Sequence, residues 1–427
     1  MSKKLKFESI AVHQNYRGDE TNSIVRPIHP TSAYFFNDAD HGADLFDLKV
    51  EGNIYSRLTN PTNDAFANAV NDLEGGVGAL AVSSGQAAAT LAILTLAKGG
   101  DHVVASQSIY GGTNSVLVNT LKPLGIETTF VDQNLSYEEL EKAIQPNTKL
   151  ILAETIGNPL VNVLDFEKFS KLAKNNEIPL VIDNTFATSY LFKPLDHGAN
   201  IVIYSATKYL GGHGNAIGGV IVDGGNFNWV GNDKFKQFWT PNDAYHGLIY
   251  TDVFEKAAFI YTVRTQGLRD IGAASSPFNS YLLATGLQTL PLRLDRSSSN
   301  ALQLANYLEN HSLIEWVSYP LLESHPDYQR ATNYFTKGAS GIFCFGIKGG
   351  LEAGKTFINS LELIIHASNV GDVRTIVTHP ASTTHRQMTS EELLSVGIAD
   401  NLIRVSTGIE NIEDLIADIE QALNKTK

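Results

Sequence analysis

Short apolar runs alternate with helix-like segments between Gly78 and Asp223. The runs are Ala79–Val82, His102–Ala105, Glu127–Val131, Leu150–Ala153, Leu180–Ile182, Ile201–Tyr204 and Val220–Val222. Patterned stretches of crossover-helix length, such as Gln86–Lys98 and Tyr137–Ile144, separate the early runs. Strands that are apolar throughout and joined by helices favour a mainly parallel sheet with helices on both faces. Ligands of such sheets bind beyond the carboxyl ends of the strands, where polar residues therefore matter most.

The pattern outside this region predicts three parts of the chain. Residues 1–60 are polar and interrupted by prolines, which indicates an N-terminal arm that reaches a neighbouring subunit. Residues 61–290 form the large α/β domain, in which the aromatic-rich stretch Asn226–Gly267 resembles a covering insertion. Residues 291–427 form a smaller C-terminal α+β domain. A long helical pattern from Asn279 leads into it, with strands near Ile342–Ile347 and Leu402–Val405 and a closing helix at Ile412–Leu423.

Composition excludes several classes of function. The chain has 427 residues and a net charge of -13, from 32 Lys and Arg against 45 Asp and Glu. This balance argues against nucleic acid and anionic membranes as partners. The one cysteine, Cys344, lies in an apolar run, so we expect a buried side chain and no disulfide framework. Without a signal-like leader or an apolar run of about 18 residues, we expect a cytoplasmic protein.

Three predicted strand ends carry residues suited to chemistry. Ser83-Ser84-Gly85-Gln86 follows the first strand and opens a helix, where backbone N–H groups and the helix N-terminus favour a phosphate. Asp183 closes the fifth strand, followed by Asn184 and Thr185. A strand-end aspartate is often a helix cap or a metal ligand, but it also suits a cationic ring nitrogen.

The third strand end carries Lys208, which follows Ser205-Ala206-Thr207. Burial of this lysine would lower the pKa of its amine toward the neutral form that Schiff-base chemistry requires. The hydroxyl groups of Ser205 and Thr207 suit phosphate oxygens. A lysine that extends to solvent is the alternative interpretation. The interval of 25 residues between Asp183 and Lys208 suits two nearby strands that hold opposite ends of one aromatic ring.

These segments resemble the Cys/Met-metabolism family of fold-type I enzymes, which use pyridoxal 5'-phosphate (PLP). The cofactor-lysine motif corresponds to SATKYLGGHG, which contains Lys208. Further matching blocks, in family order, are YSRLTNPT, SSGQAA, YGGT, ETIGNP, VIDNT, HPASTTH and LIRVSTGIE. The resemblance spans nearly the whole chain, and it places the cofactor in the large domain.

The resemblance implies a role for each matching position. Lys208 corresponds to the Schiff-base lysine and proton shuttle, Asp183 to the partner of the ring nitrogen, and Tyr110 to the tyrosine that stacks on the ring. The remaining cofactor positions are Gly85, Gln86, Ser205, Thr207 and Thr185, with Asn158 near the ring hydroxyl and Tyr55 and Arg57 supplied by an adjacent subunit. Arg404, with Ser368 and Tyr55, corresponds to the substrate-binding set, because a bidentate arginine orients a carboxylate.

Two longer segments, Leu268–Arg293 and Ala367–Gln387, resemble the O-acetylhomoserine sulfhydrylase branch of this family. The implied reaction is O-acetyl-L-homoserine plus sulfide, or a thiol, giving L-homocysteine and acetate, with methionine biosynthesis as its context. The branch also implies a homotetramer with shared active sites. Activities of the cystathionine γ-synthase or methionine γ-lyase type are the alternatives within the family. Members with those activities usually have the sequences ETPSNP and GHSD, where this chain has ETIGNP and GHGN.

A different class of protein is indicated by Gly349–Thr356, which fits the pattern G-x-x-x-x-G-K-T of a nucleotide-binding loop. The helical spacing of Leu351, Ile358 and Leu361 argues against it, since the helix would begin inside the loop. A metal site of His366, His379 and His385 is a further alternative, but the chain has no H-E-x-x-H spacing, so we expect no metal. A PLP-binding regulator that has lost catalysis would keep the lysine site without the substrate-binding arginine. The presence of Arg404 therefore disfavours this alternative. A dinucleotide-binding fold is disfavoured because no G-x-G-x-x-G follows these strands.

Overall fold

The computed structural model describes residues 5–383 and 398–427. Seven strands form the larger sheet in the order β1-β7-β6-β5-β4-β2-β3. They are β1 (Gly78–Val82), β2 (His102–Ser106), β3 (Glu127–Val131), β4 (Thr148–Glu154), β5 (Leu180–Asp183), β6 (Ile201–Ser205) and β7 (Gly219–Asp223). Only β7 runs antiparallel to its neighbours, β1 and β6. The predicted strands and the mainly parallel arrangement are confirmed.

Both faces of this sheet are covered along its central strands, which explains why those strands are mostly apolar, whereas the edge strand β3 is only partly buried. Alternate residues of one strand enter different clusters: Ala79 and Ala81 join one, whereas Leu80 and Val82 join the other. This is the period of two expected of a strand. The first face is covered by helices Pro61–Glu74, Phe166–Asn175 and Leu290–Glu309, and the second by Gly85–Leu96 and the aromatic insertion. Trp229, Phe235 and Phe238 of that insertion are buried in the second cluster.

Five strands form a second sheet in the order β10-β11-β12-β9-β8. They are β8 (Ile314–Ser318), β9 (Ile342–Ile347), β10 (Ile365–His366), β11 (Ile376–Thr378) and β12 (Leu402–Ser406). Helices Gly350–Ser360 and Ile412–Asn424 pack together beside it. The two sheets agree with a large and a small domain; the exact limits at 60 and 290 stay predictions.

The remaining α-helices are three to eleven residues long. They are Phe7–His13, Ala39–Phe46, Gly111–Ser115, Tyr137–Glu141, Thr188–Leu191, Lys236–Trp239, Tyr250–Val253, Ala258–Thr262, Arg269–Ile271, Pro277–Leu287 and Tyr328–Tyr334, with π-helical turns at Val116–Leu121 and Val263–Leu268. Among the described residues, none of the helices has the length and apolar character required to cross a membrane.

Candidate active site

Strands β1, β7 and β6 bring the Ser83–Gln86 segment, which the sequence suggests for phosphate, beside the turn that carries Lys208. Val82 of β1 and Ser205 of β6 both pair with Gly219 of the strand between them. A Cβ atom on Gly219 would lie 2.1 Å from the carbonyl oxygen of Ser84. The absence of a side chain at Gly219 therefore lets the chain after β1 cross over β7 and reach the end of β6.

Gly85 completes this approach because it packs directly on Ser205. A Cβ atom on Gly85 would lie 2.6 Å from the Ser205 Cβ and 3.0 Å from its Oγ. Gly85 is also the first residue of helix Gly85–Leu96, which Ser84 caps by accepting a hydrogen bond from the Ala87 N–H at 3.1 Å. The helix N-terminus and the Ser205 hydroxyl thus lie side by side, and both carry donors suited to an anion.

This geometry predicts the effect of Gly85→Ala. The added methyl group would overlap Ser205 and force the strand end and the helix apart, so we expect PLP affinity to fall by at least about 10-fold, which corresponds to about 1.4 kcal/mol. Ser84→Ala, which removes only the helix cap, is the matched control and should cost about 1 kcal/mol of stability. Fluorescence titration of each apo variant with PLP measures the effect. Wild-type PLP affinity in Gly85→Ala would contradict the assignment of the helix N-terminus and Ser205 to the phosphate site.

Asp183 lies at the end of β5, next to β6, and its carboxylate is held by Thr185. The Thr185 backbone N–H and hydroxyl donate to Asp183 Oδ1 at 3.0 and 2.5 Å. The same hydroxyl oxygen accepts from the Ser205 N–H at 2.8 Å, so Thr185 connects the two strand ends. Burial raises the pKa of Asp183 to about 6, and the bonds from Thr185 oppose that rise. A cation nearby would favour the ionised form further.

Lys208 lies in the turn that follows β6, half-buried rather than extended to solvent. Burial, with a smaller contribution from the positive charge of Arg404, lowers the pKa of its amine to about 8. The neutral amine is therefore more populated near neutral pH than that of an ordinary lysine, although the charged form still predominates at pH 7. Thr207, which the sequence assigns to the phosphate, instead exchanges hydrogen bonds with the backbone of Gly218: its hydroxyl donates to the carbonyl at 3.2 Å and accepts from the N–H at 3.1 Å.

Tyr110 is anchored through its backbone, which leaves its ring half exposed. The Tyr110 N–H donates to Glu154 Oε1 at 2.6 Å. The Gln86 side-chain amide donates to the Gly112 carbonyl at 2.9 Å. This bond connects the segment after Tyr110 to the first turn of helix Gly85–Leu96. Gln86 therefore acts on this turn in the structure, whereas the resemblance assigns it to the cofactor.

Arg404 brings the second sheet to the same place. It lies on β12, and its Nη1 donates to Asn158 Oδ1 at 3.2 Å. Its positive charge influences the pKa of the Lys208 amine, as described above. The guanidinium group thus stands close to the lysine, as a binder of a substrate carboxylate would.

Other predicted residues are placed differently. Tyr55 is exposed, and Arg57 lies over its ring at 5.6 Å and donates to the carbonyl oxygen of Arg269. Their supply to an adjacent subunit stays a prediction, since the structure contains one chain. Ser368 is exposed, next to Asn369.

The alternative sites find little support in the geometry. Helix Gly350–Ser360 begins inside the G-x-x-x-x-G-K-T segment, and Lys355 pairs with Glu352 at 2.6 Å, so the segment does not form a phosphate-binding loop. Both ring nitrogens of His379 have hydrogen-bond partners, Ser382 Oγ at 2.9 Å and the Asp400 carbonyl at 2.7 Å. His385 lies outside the described residues. Within 5–383 and 398–427, no group of three or more His, Cys, Asp or Glu is arranged to hold a metal ion.

The fold and the site together define a class. The site combines a lysine with a lowered pKa, a half-buried aspartate on the next strand and a helix N-terminus packed on a serine. Together they would supply what PLP requires: an amine for its aldehyde, an anion for its ring nitrogen and donors for its phosphate. On a mainly parallel sheet joined to a smaller sheet, this donor set is that of a fold-type I PLP-dependent enzyme.

Comparison with known proteins identifies the family. Residues 8–424 match the family model described as Cys/Met metabolism PLP-dependent enzyme, and the chain belongs to this family. It is 48% identical over 433 residues to a Leptospira meyeri protein named O-acetyl-L-homoserine sulfhydrylase, covering 99% of this chain and 98% of the relative. It is 46% identical to a Schizosaccharomyces pombe protein named homocysteine synthase, with 98% of each chain covered.

A solved structure from Campylobacter jejuni is similar throughout. It superposes with a TM-score of 0.95 at 39% identity, covering 98% of this chain and all of that one. It is described as an O-acetylhomoserine (thiol)-lyase that contains N'-pyridoxyl-lysine-5'-monophosphate. The protein is thus a PLP-dependent enzyme, as the sequence predicts.

Two site residues were missed by the sequence analysis. Glu154 ends β4 and pairs in register with Asp183, and burial together with the Asp183 charge raises the pKa of its carboxyl group well above the ordinary value. The signal that identified Asp183, a carboxylate closing a buried strand, applies equally to Glu154. Asn369 accepts a hydrogen bond from Lys208 Nζ at 2.6 Å. Only its position beside Ser368 could have indicated it.

Proposed function

We propose that this enzyme catalyses γ-replacement on O-acetyl-L-homoserine, with sulfide or a thiol as the acceptor, to give L-homocysteine and acetate. The observation that supports the proposal is that Lys208 follows β6, the strand beside the one that ends at Asp183, and that the positive charge of Arg404 on β12 acts on the Lys208 amine. An amino-acid substrate bound there would have its carboxylate at Arg404 and its amine near Lys208. Relatives named for this activity match along almost the whole chain.

Each residue then has a defined task. Bound PLP supplies an electron sink that stabilises negative charge at the substrate Cα. Asp183 holds the ring nitrogen in its protonated form, which is the form that withdraws electrons strongly. Lys208, as a neutral amine, would be the group that removes the substrate Cα proton and returns it. Arg404, through a bidentate contact with the carboxylate, fixes which substrate hydrogen faces that amine.

Assembly and location extend the proposal. We assign Tyr55 and Arg57 to the phosphate site of an adjacent subunit in a homotetramer, because both residues lie on an exposed part of the N-terminal segment and carry donors suited to phosphate. The cytoplasmic location follows from the sequence expectation alone. Sedimentation of the purified holoenzyme measures the assembly directly.

Product analysis tests the activity. We expect homocysteine and acetate to form in equal amounts from O-acetyl-L-homoserine and sulfide, and more slowly from O-succinyl-L-homoserine. Holoenzyme reduced with borohydride, in which Lys208 is permanently blocked, is the control and should release none. Faster turnover with cysteine than with sulfide would instead identify a cystathionine γ-synthase, and release of 2-oxobutyrate without an acceptor would identify a lyase.

A further inference from the structure

Asn369 contacts the proposed catalytic lysine from the other sheet. It lies in the connection between β10 and β11 and is half-buried. Its Oδ1 accepts a hydrogen bond from Lys208 Nζ at 2.6 Å. Lys208 lies in the turn after β6 of the seven-stranded sheet, so this bond joins the amine to a connection of the smaller sheet.

The backbone around Asn369 is fixed on two sides. Gly371 N–H donates to Ser406 Oγ of β12 at 2.8 Å, and Val373 N–H donates to the Gly212 carbonyl at 2.8 Å. A Cβ atom on Gly371 would lie 2.6 Å from the Tyr209 nitrogen and 3.0 Å from the Lys208 carbonyl carbon. This close approach of two backbones holds the Asn369 amide at a set position relative to Lys208.

The charged groups around Lys208 affect the pKa of its amine, so it matters that its hydrogen-bond partner, Asn369, is uncharged. Arg404 approaches from β12, with Cys344 and Tyr110 facing it. Asp183 closes the strand next to that of Lys208, whereas Asp372, near Asn369, is bonded to Arg374 at 2.8 Å. An amide oxygen can accept from the amine without adding a negative charge that would keep it protonated.

We propose that Asn369 is a positioning residue that holds the Lys208 amine, as a neutral hydrogen-bond acceptor, whenever that amine is not bonded to the cofactor. The amine must leave the cofactor when substrate binds and must then remain near the substrate Cα. A flexible four-carbon side chain has many rotamers, and one fixed acceptor selects among them. The inference rests on the proposed role of Lys208, but it is independent of the acyl group and of the thiol.

The first test measures the Lys208 amine itself. Apoenzyme is reductively methylated with formaldehyde and cyanoborohydride across a range of pH, and mass spectrometry follows the peptide that contains Lys208. Asn369→Asp places a carboxylate at nearly the same position, so we expect the apparent pKa of the amine to rise by about 1 to 3 pH units. Asn306→Asp, on an exposed helix face, is the charge-matched control and should leave the profile unchanged. An unshifted profile in Asn369→Asp would overturn the inference.

A second variant tests the positioning role without a buried charge. Asn369→Leu removes the acceptor and keeps the approximate size, so we expect the apoenzyme to form the lysine-linked cofactor absorbance about 2- to 10-fold more slowly on addition of PLP. Uptake at the wild-type rate by a folded Asn369→Leu variant, checked by circular dichroism, would refute the role. Neither readout depends on homocysteine formation, so failure here is distinguishable from failure of the proposed function.

Discussion

Lys208→Ala is expected to eliminate both the lysine-linked absorbance of PLP and turnover. The substitution removes the amine that is assigned to the cofactor aldehyde and, with it, the base that would move the Cα proton. Loss of a general base alone costs about 10²- to 10⁴-fold in rate, so we expect kcat to fall by at least about 10³-fold. Absorbance spectra of the purified variant and its rate of homocysteine release give the two measurements. Retained long-wavelength absorbance would mean that another lysine holds the cofactor.

Lys355→Ala is the matched control, and it also tests the nucleotide-binding alternative. Lys355 stands in the G-x-x-x-x-G-K-T segment, where it pairs with Glu352 on a partly exposed helix turn. A surface pair of this kind contributes about 0 to 1 kcal/mol. We therefore expect wild-type colour and turnover in this variant. Loss of activity in Lys355→Ala, with Lys208→Ala unaffected, would favour the nucleotide-binding interpretation.

The large sheet could be predicted from the sequence because both of its faces are buried. The central strands are buried along almost their whole length and mostly apolar, and such runs stand out between helices, whereas the edge strand β3 is only partly buried. The second sheet was predicted only at β9, which is apolar and buried throughout, and at β12, which is buried except at Arg404. Strands β8 and β10 are partly exposed, and β10 has only two residues, so their pattern resembles that of loops.

The residues of the site could be predicted where the local sequence pattern alone marks them, as a polar residue at the end of an apolar strand does. Asp183 and Lys208 are polar residues at the ends of apolar strands, and parallel strands bring such ends together. The bond from Lys208 to Asn369 spans 161 positions and depends on how the two sheets meet, which no local pattern records. The same holds for Gly219, whose role is to let another segment of backbone pass above it.

Asp183→Asn should separate cofactor binding from catalysis. The amide has the shape of the carboxylate but no charge, so it cannot keep the ring nitrogen protonated. Removing one partner of a buried ion pair costs about 3 to 5 kcal/mol, and we expect kcat to fall by about 10²- to 10⁴-fold while Lys208 still binds the cofactor. In the wild type, the carboxyl of Asp183 loses its proton as pH rises through about 6. A cationic ring would lower that value, so the acid limb of the wild-type kcat profile should lie at or below about pH 6.

Asp223→Asn is the matched control, and it shows whether neutralising any carboxylate at the end of a strand would lower kcat as Asp183→Asn does. Asp223 ends β7, which runs antiparallel to β6, and therefore lies at the opposite edge of the sheet from Asp183. Its carboxylate accepts from the backbone N–H groups of Gly225 and Ile260 at 2.9 and 3.2 Å, and burial raises its pKa to about 7. Loss of one of these bonds should lower thermal stability but leave kcat and the absorbance spectrum unchanged. Equal losses of kcat in both variants would show that burial of an acid, rather than its position at the ring nitrogen, determines the effect.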